Sequence, residues 1–239
     1  MRLGGLLPDG TTRYSVGGRP VHHFAGISTF AEQSVVPASG LIRVDPQVPL
    51  DRVALIGCAV LTGVGAAFNA ADLKAGTSTV VIGCGGVGLN VIQGCAIVGA
   101  SPIIAVDVID SKLELARQFG ATDLVDARDG DVADRVRALT GGLGSNHAFV
   151  AVGSVEAMGD ALAMTRRAGT VIAVGVPPMD AEFAFSPLAR SARRRHSQIE
   201  AGHVIGVPAE LVGELRMPLA VLACGELGCT FLRLPLLVY

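Results

Sequence analysis

From Thr79 onward the apolar positions switch between two periods. Short runs rich in β-branched residues, Thr79 to Ile82 and Ile103 to Val106, read as buried strands. Between them Val87, Val91, Cys95 and Val98 recur at spacings of four, four and three, which is one face of a helix. Gly99 and Pro102 stop that helix. The alternation then continues. A helix carrying Leu113, Ala116 and Phe119, with Asp110 as its expected cap, ends at Gly120. A short strand, Asp123 to Val125, precedes a helix with Val132, Val136 and Leu139 that closes at Gly141-Gly142. The strand Ala148 to Val152, a helix with Ala157, Met158, Ala161 and Leu162, and a fifth strand, Thr170 to Val174, complete the series. Five strands alternating with four helices predict an α/β fold, a doubly wound parallel sheet of the Rossmann type with right-handed crossovers. A complete fold of this type has a sixth strand, for which His203 to Val207 is the candidate.

The flanks read differently. Residues 1–29 are glycine-rich and polar, with a turn at Pro8-Asp9-Gly10. His22-His23 is no metal pair, because adjacent side chains on a strand point to opposite faces. Strand-like pieces follow at Gln33 to Val36 and Leu41 to Val44, then an apolar stretch from Asp51 to Cys58. Thr62-Gly63-Val64-Gly65 leads into an alanine-rich helix ending near Ala71. After about Leu188 the periodicity fades, and the basic run Arg190 to Arg195 reads as solvated surface.

The chemistry gathers where strands end. Gly83, Gly85 and Gly88 have the G-x-G-x-x-G spacing of a dinucleotide-binding turn. The first glycine makes the turn, the second lets the backbone approach a pyrophosphate, and the third lets helix and strand pack closely. Asp107 ends the next strand nineteen positions after Gly88, where an acid grips the adenosine ribose. Gly153 and Gly175 also lie at C-terminal strand ends, the side on which such sheets bind ligands.

Bulk composition adds limits. Half of the 239 residues are hydrophobic, enough for a sizeable core. A net charge of −2 gives no argument for nucleic acid or an acidic membrane surface. The five cysteines, at 58, 84, 95, 224 and 229, form no paired framework, which fits a reducing, cytoplasmic setting. Cys224 and Cys229 match no common zinc spacing. The most apolar run, Met217 to Tyr239, is broken by Glu226, Arg233 and two prolines, so no membrane span is expected.

Several segments together resemble the zinc-type medium-chain alcohol dehydrogenases: Ile56-Gly57-Cys58 through Gly65, Val81 through Gly88, Ala105-Val106-Asp107, Lys112, and Phe119 through Thr122. Leu7 through Thr11 and Gly26 through Phe30 resemble the class III, thiol-dependent formaldehyde dehydrogenase branch. The resemblance implies NAD and zinc as cofactors and a small alcohol or aldehyde as substrate. It implies hydride transfer from an alcohol, or a formaldehyde–thiol adduct, to NAD. Cys58 matches a ligand of the catalytic zinc and Thr62 a residue beside the nicotinamide. Gly83, Gly85, Gly86, Val87 and Gly88 match the pyrophosphate turn, and Asp107 and Lys112 the ribose contacts. Val152, Gly153, Val174, Gly175 and Val176 match the wall of the nicotinamide pocket. Asp107 favours NAD over NADP, since its charge repels a 2′-phosphate. The family assembles as homo-oligomers.

The same comparison divides the chain into a remnant of a GroES-like, β-rich catalytic domain (1–58), an NAD-binding Rossmann domain (59–188) and a divergent tail (189–239). The family's remaining zinc ligands, a cysteine and a histidine, belong to a segment preceding the part this sequence matches. The expectation is a truncated enzyme with impaired activity. The alternatives are a non-catalytic NAD-binding fragment and a zinc-free reductase of the quinone oxidoreductase type.

Overall fold

A computed structural model describes residues 5–7, 9–23, 30, 32–34, 43–178, 181–182 and the backbone of 198–200. The chain opens with a two-stranded antiparallel hairpin, β1 (Tyr14–Val16) and β2 (Arg19–Val21). His23, beside it, is buried. Its Nε2 accepts the Arg13 N–H at 3.1 Å and its ring lies 4.6 Å from that of Tyr14, so its role is packing. A single helix, α1 (Leu50–Ala70), follows. Then come β3 (Thr79–Ile82), α2 (Gly86–Val98), β4 (Ile103–Asp107), α3 (Asp110–Gln118), β5 (Asp123–Asp126), α4 (Val132–Leu139), β6 (Ser145–Val150), α5 (Val155–Met164), β7 (Thr165–Ala173) and β8 (Gln198–Glu200).

The order across the main sheet is β5-β4-β3-β6-β7-β8, every pairing parallel. This is the doubly wound Rossmann arrangement that the alternation of periods predicts. Alternate strand residues feed opposite faces. Val81, Ala105, Phe149 and Ile172 pack with α2 and α3 residues such as Val91, Ile92, Cys95 and Leu113. Val80, Ile82, Val106 and Val150 pack with Val136, Ala161 and Met164 of α4 and α5. Both faces of the sheet are therefore dry, which is why its strands read as continuous apolar runs.

Four expectations change. The helix expected from about Thr62 begins at Leu50 and runs unbroken, with wider π-type turns at Ile56–Val60 and Ala66–Ala70. It has 21 residues, and its most apolar 18-residue stretch has a mean hydropathy of 1.9, so it is long and apolar enough to cross a membrane by length and composition, where the sequence reading expects no such stretch. In this fold its glycine-rich half lies on α2, while Leu50 and Leu55 are exposed. Asp110 does not cap α3: Ile109 holds the cap position without a side-chain bond, and Asp107 binds the preceding amides instead. Finally, the sixth strand is Gln198–Glu200, beside β7.

His203 to Val207, Arg190 to Arg195, Cys224, Cys229 and Met217 to Tyr239 lie outside the described residues, as do Pro8 and parts of the strand-like pieces before residue 45. Of those pieces, the described Gln33, Ser34, Arg43 and Val44 are in no strand.

Phe149 is fully buried at the centre of the sheet. Phe149→Ala should lower the unfolding free energy by about 3–5 kcal/mol, the usual cost of such a cavity, measured by urea titration.

Candidate functional site

The strand order reverses between β3 and β6, and the ends of these two strands form the candidate site. The chain leaves β3 through Gly83 at φ +95°, where an added Cβ would stand 2.4 Å from Cγ1 of Val152. Gly88 is more constrained: its Cβ would stand 1.8 Å from the Gly83 carbonyl oxygen. The first turn of α2 therefore lies directly on the end of β3. Gly85 is the opposite case, since nothing lies within 4 Å of a Cβ added there. One glycine of the motif is required by packing and another faces open space, as a cradle for an outside group requires.

No side chain caps α2, and Leu89 is the first residue to bond back, to the Gly85 carbonyl at 2.8 Å. The N–H groups of Gly86, Val87 and Gly88 thus have no acceptor within the helix, and the helix dipole adds partial positive charge there. Such an end suits a phosphate.

Asp107, buried at the end of β4, faces this turn. Its Oδ2 accepts the Cys84 N–H at 2.7 Å, and its Oδ1 accepts those of Val108 and Ile109 at 2.8 and 3.0 Å. One carboxylate thereby joins the glycine turn to the β4–α3 loop. A carboxylate has about four acceptor positions, so capacity for a ribose hydroxyl remains. Lys112, half-buried in the first turn of α3, is near enough for its charge to act on Cys84. The Cys84 thiol is pushed up to about 12 by burial and, secondarily, by the Asp107 charge. Burial likewise pushes Cys95 up to about 12.

The opposite wall comes from the loops after β6 and β7. A Cβ at Gly153 would stand 2.1 Å from the Val176 carbonyl oxygen, and one at Gly175 would stand 2.3 Å from that of Val152. The N–H groups of Val174 and Gly175 both donate to the Val150 carbonyl at 2.8 Å. Val152, Gly153, Val174, Gly175 and Val176 therefore form one clasped unit, joined to Gly83 through Val152.

Above the turn, α1 packs backbone to backbone on α2. A Cβ at Gly63 would stand 2.5 Å from the Val87 carbonyl oxygen and 2.7 Å from Val91 N. Thr62, its neighbour, is buried, and its Oγ1 has no hydrogen-bond partner among the described residues. An orphaned hydroxyl beside the glycine turn marks a place where a polar group of a bound molecule fits. Cys58 lies one turn earlier on the same helix, within the first π-type turn.

The sequence profile of the zinc-binding dehydrogenases matches residues 86–205, half of the chain. The chain belongs to the zinc-binding dehydrogenase family. The match extends beyond Leu188, where the sequence resemblance was expected to end, and takes in β8.

Solved structures similar to this zinc-binding dehydrogenase chain include an alcohol dehydrogenase zinc-binding domain protein from Burkholderia ambifaria, 31% identical over 81% of this chain, with a TM-score of 0.73. Benzyl alcohol dehydrogenase from Acinetobacter calcoaceticus is 30% identical over 72%, with a TM-score of 0.66. Alcohol dehydrogenase TADH from Thermus sp. ATN1 is 30% identical over 67%, with a TM-score of 0.60. The matched regions are 52%, 48% and 46% of those chains, so this chain spans about half the length of these structures.

The site's residues fit a dinucleotide: an open cradle at Gly85, an uncapped helix end, a carboxylate with spare capacity and an orphaned Thr62 hydroxyl. They do not fit zinc. Among the described residues no group of three or more His, Cys, Asp or Glu side chains converges. Cys58 supplies a single side chain, where a zinc site takes three or four protein ligands.

Sequence reasoning missed the amide of Cys84 and the glycine contact at Gly63. Cys84 had a signal, since the residue after the first glycine of such a turn leads its amide toward the acid. Gly63 had none, because a glycine in an apolar helix does not announce which neighbour it meets.

Three outcomes follow. Gly88→Ala should lower the melting temperature sharply, while Gly85→Ala leaves it nearly unchanged. Folded Cys84 and Cys95 should resist iodoacetamide at pH 8 and react on unfolding, as read by mass spectrometry. The unfolded thiols ionise near 9 and the folded ones near 12, so stability should fall as pH rises from 9 towards 12.

Proposed function

We propose that this chain binds NAD(H) and serves an NAD-dependent oxidoreductase of the alcohol dehydrogenase type. The observation that carries the reading is the open face of Gly85, at an uncapped helix end, beside the buried carboxylate of Asp107. When bound, the dinucleotide supplies the hydride acceptor.

The chain's own part is binding and orientation. The N–H groups of Gly86, Val87 and Gly88 receive the pyrophosphate, and Asp107 receives a ribose hydroxyl. Val108 and Ile109, 53% and 43% exposed beside Asp107, offer apolar surface to the adenine. Thr62 and the clasp of Val152, Gly153 and Val174 to Val176 bracket the nicotinamide from two sides. The alcohol class of substrate is supported by the sequence resemblance and by the names of the similar structures, and a formaldehyde–thiol adduct by the sequence resemblance alone. The second reading, a non-catalytic NAD-binding fragment, is favoured by the lack of a convergent ligand group among the described residues.

Titration of NADH fluorescence should give saturable binding that is tighter than for NADPH. Gly85→Ala should weaken it at least about tenfold, near 1.4 kcal/mol, because the new methyl occupies the pyrophosphate's place. Alcohol-dependent NADH formation at 340 nm then separates the two readings: turnover supports the enzyme, and binding without turnover the fragment.

A further inference from the structure

The end of β5 carries a cation that the dinucleotide reading leaves unused. Asp126 is the register partner of Asp107 on the neighbouring parallel strand, so their backbones are about 5 Å apart. Arg128 follows in the short turn Ala127–Asp129. Its Nε donates to both Asp126 oxygens at 3.0 Å, and its Nη2 is shared between Asp126 and Asp110. Asp110 opens α3, three residues after Asp107. Arg128 therefore spans from the end of β5 to the start of α3, alongside the loop that Asp107 organises.

We propose that Arg128 is a specificity-determining residue for the dinucleotide: an arginine beside the ribose position that Asp110 and Asp126 hold off a 2′-phosphate. The proposal rests on the dinucleotide reading. Arginine binds phosphate through paired N–H groups on one edge of its fork. Here Asp126 occupies the Nε–Nη2 edge and Asp110 draws on the same Nη2. Asp126 also accepts the Arg128 backbone N–H at 2.8 Å, which fixes the turn that presents the side chain. Arg128 holds the Asp126 carboxyl down to about 2, so that charge persists at any working pH. Asp129 does not compete, because Arg135 holds it at 2.8 Å.

Selection against the 2′-phosphate thus has two parts. Asp107 repels it directly, and the clamp withholds the cation that would attract it. The Arg128 and Asp110 side chains are 56% and 77% exposed, so the clamp matters little to the fold and can be opened by substitution.

The test titrates NADH and NADPH against the whole chain, with a melting curve for each variant. In Asp110→Asn/Asp126→Asn the turn keeps an acceptor oxygen while the clamp loses both charges. The ratio of NADPH to NADH affinity should rise about tenfold, and adding Arg128→Gln should abolish the gain. An unchanged ratio, or a gain that survives Arg128→Gln, would overturn the proposal. Asp110→Asn alone, at an exposed position, should give a smaller rise in the same direction and serves if the double variant melts early. Failure of the unsubstituted chain to bind NADH would overturn the dinucleotide reading itself, and is seen before any variant is made.

Discussion

The crevice depends on the contact of Gly88 with the carbonyl of Gly83. That approach leaves no room for a β-carbon, and it sets the first turn of α2 on the end of β3. The N–H groups of that turn consequently gather at the point where the strand order reverses. The same helix is gripped from its other side by α1, through Gly63 against Val87 and Gly94 against Ala67. Small residues on both faces of α2 thus fix its height above the sheet and its angle to α1. Position, more than any reactive side chain, is what this part of the chain supplies.

Asp107 converts that geometry into a site. Three backbone N–H groups converge on its carboxylate, from both the glycine turn and the loop after β4. Charge-assisted bonds of this kind are strong, and they offset the cost of burying the acid. The carboxylate is therefore structural and available to a ligand at once. Around it the polar groups are sorted by sign: Lys112 stands in the next helix, and Arg128 is neutralised by Asp110 and Asp126.

Much of the fold between Thr79 and Ala173 is legible in the sequence, because both faces of the sheet are covered and each strand must be apolar throughout. The glycine spacing and Asp107 are legible because they answer a steric and an electrostatic demand with few substitutes. Other features are not. Gly57, Gly63 and Gly65 argue against a helix by local propensity, yet α1 runs through them, since packing on α2 outweighs that preference. The proposed boundary between residues 58 and 59 accordingly falls inside one continuous helix. The position of β8 depends on pairing with β7 in a segment of weak pattern. Arg128 reads as an ordinary polar turn residue until the register of β4 and β5 brings it beside Asp107.

The most direct measurement is hydrogen exchange with and without NADH, resolved to the glycine turn. The account predicts that NADH slows exchange of the amides of Gly86, Val87 and Gly88, and of the loop after Asp107, while the outer face of α1 around Leu55 is unaffected. Unchanged exchange at the turn with saturating NADH, or protection confined to another part of the chain, would contradict it.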